Sequence, residues 1–124
     1  MIPIRDTAPC LIKPYVSWGL IALCSVLFIG LELSPDRLHR YIIYIYGMVP
    51  ARYSNPEWAL LMGYPSDYFF SFMSNLFLHG GWMHLIVNVW FIWIFADNIE
   101  DRMGHGRFII FYLVCGIMAT AIQW

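Results

Sequence analysis

The sequence predicts an all-α integral membrane protein that crosses the bilayer three times. Its composition is 60% hydrophobic and only 12% charged, whereas soluble domains carry about 25% charged residues. The apolar residues gather in three long runs, and the prolines and most charged residues lie outside these runs. Each run is close to the length that a helix needs to cross a hydrocarbon core about 30 Å thick. These observations together favour a membrane domain over a soluble one.

A short polar leader at residues 1–14 precedes the first span, which is expected at about residues 15–33. The leader contains three prolines and three charged residues, a composition typical of irregular structure. The following run is uncharged until Glu32, and as a helix it would extend about 28 Å. A secretory signal peptide is the alternative, but the run is too long and Ser34-Pro35-Asp36 supplies no small-x-small cleavage site. We therefore expect a retained transmembrane helix.

Residues 34–78 are too mixed to span and are expected to form a long loop that lies partly in the membrane interface. Basic residues alternate there with clusters of tyrosine, tryptophan and phenylalanine, and prolines interrupt the segment. Amphipathic rings favour the boundary between lipid and water. Short helices are expected around residues 40–46 and 57–62. Long loops of this kind are often functional.

The second span is expected at about residues 82–97 and the third at about residues 107–124, so that residues 15–124 form one membrane domain. The charged residues between these two spans favour a turn over residues 97–106. In the third span, Gly116 and Thr120 form a small-xxx-small pattern, which allows close helix contact. Positive residues in the leader and in the turn favour an N-terminus on the cytoplasmic side.

The charge and the cysteines exclude several classes of function. The net charge is −1 and no Lys/Arg patch occurs, so nothing indicates a nucleic-acid partner. The three cysteines are scattered, and their number and spacing suggest neither a disulfide framework nor a metal site. No cofactor is indicated. The expected partners are membrane lipids and other transmembrane proteins.

Two polar residues, His84 and Asn88, lie inside the second apolar run. Four positions apart on a helix, they share one face, about 6 Å apart along the axis. Polar side chains are costly in hydrocarbon, so this face should look into a protein interior. Hydrogen bonding between helices would explain the pair without a catalytic role. A metal site with His79 is disfavoured, because His79 and His84 would diverge by about 140° on a helix and no third ligand is near.

An acidic group closes the second apolar run, namely Asp97, Glu100 and Asp101, beside Arg102 and Arg107. Such a group at a helix end is typical of a solvated terminus with local ion pairs. Acid–base catalysis is the alternative, but the pattern favours the solvated helix end.

Residues 77–116 resemble the start of the catalytic core of the rhomboid family of intramembrane serine proteases. The matching features are His79, then His84-x-x-x-Asn88, then Glu100-x-Arg102-x-Gly104. Upstream, residues 2–6 and 47–52 resemble the leader and the loop of the bacterial members. The resemblance extends over essentially the whole chain, and the combination of motifs is far more specific than any one of them.

The resemblance implies a fold and a role for each matching residue. The chain would form the first three helices of a six-helix core in a bacterial inner (plasma) membrane. The family's serine nucleophile lies in a Gly-x-Ser-Gly motif on the fourth helix, and its base is a histidine on the sixth. His84 and Asn88 would hold the oxyanion, and His79 would be a structural loop residue near the cavity mouth. Glu100 and Arg102 would stabilise the inner end of the second helix, and Gly104 would allow the turn into the third.

The chain also departs from the family pattern. None of its seven serines lies in a Gly-x-Ser-Gly motif, all of them precede the His84–Asn88 helix, and no histidine follows His105. The Trp-Arg pair that many members carry in the long loop is absent as well. The nucleophile and its base make acyl transfer possible, so these residues alone cannot carry out the family's mechanism.

Three hypotheses remain open from the sequence. The chain is the N-terminal portion of a rhomboid protease, truncated in the gene or in its record, which needs its C-terminal half for activity. Alternatively, it is a non-proteolytic rhomboid-like protein that binds transmembrane partners, or a small structural membrane protein with an accidental likeness. On the first hypothesis the isolated chain should be short-lived or oligomeric, because unpaired polar groups in lipid cost up to several kcal/mol each.

Overall fold

The computed structural model describes residues 4, 6–65 and 69–122, which form helices joined by short turns, without a strand among them. Three helices are long and apolar enough to cross a membrane, and we call them the first, second and third spans: Tyr15–Glu32, Trp82–Met103 and His105–Ile122. The predicted all-α membrane architecture with three spans is confirmed. The final two residues of the expected third span lie outside the described residues.

The first span, α1 (Tyr15–Glu32), begins directly after Pro14 and buries a single narrow face. Its buried side chains are Ser17, Cys24 and Phe28, and their spacing of seven and four residues places them on one side of a helix. Large apolar side chains elsewhere on the helix are exposed. This distribution suits a helix that meets protein on one face and lipid on the others.

The second span continues further than the sequence suggested. It consists of α6 (Trp82–Phe91), a π-helical turn (Ile92–Ala96) and α7 (Asp97–Met103). The expectation of a turn over residues 97–106 is therefore wrong. The helix ends where Gly104 adopts a φ of +83°, a conformation that glycine takes readily and that other residues avoid. The polar side chains that suggested a turn instead accept hydrogen bonds from the leader and from the first span.

The π-helical turn sets the register of the second span against the first. Ile92, Ala96 and Glu100 are all buried, although steps of four residues drift by about 40° each around an α-helix. A π turn is wider than an α turn, so it reduces this drift. The three side chains consequently remain in one row, and the row ends with a carboxylate.

Two apolar clusters hold the spans together. One joins the first and second spans through Cys24, Phe28 and Leu85. The other lies nearer the start of the third span and contains Ile92, Ala96 and Phe108, with further side chains of the first span packed against it. Each cluster is small, and much of the apolar surface of the spans remains exposed.

The loop between the first two spans contains four short helices within its described part: α2 (Asp36–Tyr46), α3 (Pro50–Ser54), α4 (Pro56–Leu61) and α5 (Phe70–Ser74). The helices expected around residues 40–46 and 57–62 correspond to α2 and α4, whereas α3 and α5 were not predicted. Proline opens both α3 and α4, where its missing N–H costs nothing. The prolines that suggested breaks therefore also start helices.

Buried Arg52 organises this loop. Only 1% of its surface is exposed, and its guanidinium donates to the carbonyls of Ile45 at 3.1 Å and Pro65 at 2.9 Å. It also lies over the ring of Tyr64, 5.3 Å from the centroid. One planar cation thus ties α2, α3 and the segment after α4 together, which suits the forked geometry of arginine.

Candidate functional site

A cavity of about 340 Å³ lies between the start of the second span, the residues before it and the C-terminal half of the third span. Its polar lining includes His79, His84 and Asn88, together with Asn75 from the segment after α5. The lining residues from the third span include Tyr112, Cys115, Gly116 and Thr120. The histidine–asparagine pair therefore lines a cleft.

The turn at Gly80 and Gly81 brings His79 back against the second span. The Leu85 N–H donates to the Gly81 carbonyl at 3.1 Å, so the helix begins directly after the turn. His79 is 6% exposed, and its Nε2 lies 2.9 Å from Nδ2 of Asn88. Residues nine positions apart in the sequence are thus in direct contact.

His84 completes this polar group. Its ring centroid lies 5.1 Å from that of His79, with the rings edge to face. His84 is exposed and Asn88 is half-buried, so both can meet a molecule that enters the cavity. An imidazole N–H and an amide NH₂ are hydrogen-bond donors. The arrangement is therefore suited to holding an oxygen atom that carries negative charge.

The environment of His79 favours its neutral form. Burial lowers the pKa of His79 below its usual value, and the neighbouring His84 lowers the pKa further. The backbone of Phe77 offsets part of this shift. Nδ1 of His79 is buried and makes no hydrogen bond within the described residues. The sequence had suggested a structural loop residue at the cavity mouth, and the structure packs it against Asn88.

The third span approaches closely on the other side of the cavity, at Gly116. A Cβ atom at this position would lie 2.2 Å from Cδ2 of Leu76, which follows α5. Thr120 is buried and donates from its hydroxyl to the Gly116 carbonyl at 3.0 Å. Gly116 therefore packs against the segment after α5.

At the far end of the second span, Glu100 is fully buried, with 0% of its surface exposed. Its carboxylate accepts hydrogen bonds from the Val16 N–H at 2.9 Å, the Ser17 N–H at 2.8 Å and the Ser17 hydroxyl at 2.6 Å. It is also in contact with Nδ1 of His105. For Glu100, the expectation of a solvated helix end with local ion pairs is wrong.

Glu100 is buried because the first turn of α1 has backbone N–H groups without helical partners. A carboxylate satisfies them and interacts favourably with the positive end of the helix dipole. Asp101 acts similarly on the leader, where one of its oxygens accepts from the N–H groups of Leu11 at 2.8 Å and Ile12 at 2.7 Å. Arg102 is exposed beside them. This end of the molecule is a structural junction.

The comparison with protein families agrees with the motifs and the geometry. Residues 66–124 match the family model described as Rhomboid domain. This match identifies a rhomboid domain in the second half of the chain and supports a rhomboid family assignment. No solved structure gives a significant match to the chain.

The structure divides the rhomboid motif residues between two ends of the second span. His79, His84 and Asn88 meet at the cavity, whereas Glu100 and Gly104 lie at the junction of the three spans. In the part of the chain that the structure describes, His, Cys, Asp and Glu form no group of three that could hold a metal ion. The sequence did not predict the burial of Arg52, because its partners lie elsewhere in the loop. It did not predict the contact of His105 with Glu100 either, because the two residues lie on different helices.

Proposed function

We propose that this chain forms the oxyanion-side part of a rhomboid-type intramembrane serine endopeptidase, which cleaves transmembrane segments of other membrane proteins. The observation that supports the proposal is the shared cavity: His84 and Asn88 line it together, and His79 contacts Asn88 at 2.9 Å. The rhomboid-domain match over residues 66–124 is consistent with this role.

The chemistry required of such a cavity is stabilisation of negative charge. When a serine attacks a peptide carbonyl, the carbonyl oxygen becomes an oxyanion, and donors held in a water-restricted site stabilise it. The Asn88 amide and the His84 imidazole would supply these donors. The loss of one such donor typically raises the barrier by about 3–4 kcal/mol.

The nucleophile and its base would come from helices that the 124 residues do not contain. We propose that these helices pack on the open side of the cavity, beside the third span. In a bacterial inner membrane with the N-terminus in the cytoplasm, Asn88 would lie about 10 Å below Gly81, measured along the helix from the outer surface. Water could reach a site at this depth.

Reassembly of the enzyme tests the proposal. The chain is co-expressed in bacterial membranes with the fourth to sixth helices of a rhomboid protease, together with a tagged transmembrane substrate. We expect cleavage when both parts are present and no cleavage with either part alone. A catalytically inactive C-terminal part, with its serine replaced by alanine, is the matched control. Absence of cleavage despite association of the two parts would contradict the proposal.

The same reassembly distinguishes a non-proteolytic role. If the chain only binds transmembrane partners, His84→Ala and Asn88→Ala should leave binding unchanged and no cleavage should occur. If it contributes the oxyanion donors, both variants should still bind the C-terminal part but lose cleavage. In addition, a pulse-chase experiment should show that the C-terminal part lengthens the lifetime of the chain, because it covers the polar face of the second span.

A further inference from the structure

The hydrogen bond between His79 and Asn88 has a defined donor and a defined acceptor. The Asn88 atom in the contact is Nδ2, which belongs to an NH₂ group and can only donate. Nε2 of His79 must therefore accept, and an imidazole nitrogen accepts only when it carries no proton. This arrangement of atoms corresponds to a neutral ring with its proton on Nδ1.

We infer that His79 is a positioning residue of the oxyanion site, which in its neutral form holds the Asn88 amide with its NH₂ group directed toward the two histidines. The inference deepens the proposed function and rests on it. Asparagine has an oxygen and a nitrogen at the end of one rotatable bond, so an unrestrained amide could turn its carbonyl oxygen into the cavity. A carbonyl oxygen would repel an oxyanion, whereas an NH₂ group stabilises it.

Protonation of His79 would reverse this arrangement. A protonated imidazole has two N–H donors and no acceptor, so it would face the Asn88 NH₂ group donor to donor. The amide would then turn over and present its oxygen to the ring. His79 thus couples the orientation of the oxyanion donor to pH.

The surroundings keep His79 neutral near pH 7. From the second span it faces His84, and from the third span the titratable groups at the same cavity are Tyr112 and Cys115. The described lining of the cavity includes no carboxylate that would favour a protonated ring. Burial and the proximity of His84 lower the pKa of His79, in agreement with the direction of the hydrogen bond.

Nuclear magnetic resonance of the ¹⁵N-labelled 124-residue chain in detergent micelles tests the inference. At pH 7.5 we expect His79 to show an unprotonated Nε2 and a protonated Nδ1. On acidification, the two Asn88 NH₂ resonances should shift with the same midpoint as His79. A protonated Nε2 at pH 7.5, or Asn88 resonances that ignore the titration of His79, would overturn the inference.

Variants separate positioning from simple packing. His79→Gln retains an acceptor, its amide oxygen, so the Asn88 NH₂ resonances should stay near their wild-type positions but lose the pH-dependent shift. His79→Leu fills the space without an acceptor, and the resonances should move at every pH. His39→Gln, in α2, is the matched control and should leave the Asn88 midpoint unchanged. Equal behaviour of the Gln and Leu variants would overturn the positioning role.

Activity in the reassembled enzyme provides an independent readout. His79→Leu should lower kcat with little change in KM, and His79→Gln should restore most of kcat while removing the loss of activity at acid pH. Because the resonance experiment needs no activity, its failure would reject the role of His79 and leave the proposed protease function standing. Failure of reassembly would reject the protease function and leave the measured hydrogen bond intact.

Discussion

Replacement of Glu100 by alanine should loosen the junction of all three spans. The Glu100 carboxylate accepts from the backbone of Val16 and from both the backbone and the hydroxyl of Ser17, and it also contacts His105. Alanine would leave these donors without an acceptor at the start of the first span. The second span would simultaneously lose its polar contact with the third.

The size of the effect follows from the number of donors. A buried donor without a partner costs about 1–3 kcal/mol, and three donors of the first span lose their acceptor. Water can reach part of the first turn of a helix near the membrane surface, so we expect a value toward the lower end, about 3–5 kcal/mol. Glu100→Gln keeps the shape and one acceptor oxygen, and should cost about 1–3 kcal/mol.

The thiol of Cys24 provides the assay. Cys24 is 0% exposed in the cluster between the first and second spans, and the exposed cysteines, Cys10 and Cys115, can be replaced by serine. The rate of alkylation of Cys24 in micelles then reports opening of this cluster. Glu100→Ala should accelerate alkylation by about 10²- to 10⁴-fold, since 1.36 kcal/mol corresponds to a factor of ten.

The control for this measurement is Glu57→Ala, which removes an exposed carboxylate from α4. Its alkylation rate should match that of the parent chain. If Glu100→Ala accelerates alkylation less than about threefold, in the range of the control, the burial of Glu100 does not stabilise the junction and the reasoning is refuted.

Three further perturbations test other contacts. Gly116→Ala should destabilise the packing of the third span by about 1–3 kcal/mol, because the added methyl would lie 2.2 Å from a Leu76 atom; Leu76→Ala should relieve the loss. Arg52→Lys should make the loop before the second span more susceptible to limited proteolysis, whereas Arg40→Ala, at an exposed position, should not. Lowering the pH should destabilise the chain through His79, whose pKa in the folded state lies below the ordinary value of 6.5.

The sign of the pH effect and the contradicting results are specific. The unfolded chain binds a proton at His79 more readily than the folded chain does. The contribution of His79 to the free energy of unfolding is therefore fully present above pH 6.5, and it is lost as the pH falls below that value. His79→Gln should reduce this dependence, and an unchanged dependence would contradict the assignment. No change in Cys24 alkylation on Gly116→Ala, or equal proteolysis of the two arginine variants, would contradict the packing described for those sites.

The spans were predictable from the sequence because their signal is local and redundant. Long apolar runs specify transmembrane helices whatever their neighbours are, and the spacing of His84 and Asn88 suffices to place both on one face. The end of the second span was not predictable, because Asp97–Met103 looks polar by itself. Its helical state depends on Glu100 meeting the first span, more than eighty residues earlier in the chain.

The roles of Arg52 and His79 were missed for a similar reason. Arg52 lies in a segment with prolines and glycines, which predicts an exposed loop, yet its partners at Ile45 and Pro65 bury it. His79 precedes two glycines, and the turn that returns it to Asn88 depends on the packing of the cavity. In both cases the available signal was a polar residue among aromatic and aliphatic neighbours, which indicates a buried partner but does not identify it.

The most direct measurement is the rate of substrate cleavage by the reassembled enzyme, compared between the wild-type chain and Asn88→Ala. If Asn88 donates to the oxyanion, kcat should fall by about 10²- to 10³-fold, with association of the two parts unchanged. The matched control, Asn55→Ala at an exposed position, should cleave at the wild-type rate. Equal rates for Asn88→Ala and the wild type would contradict the assignment of this cavity to oxyanion stabilisation.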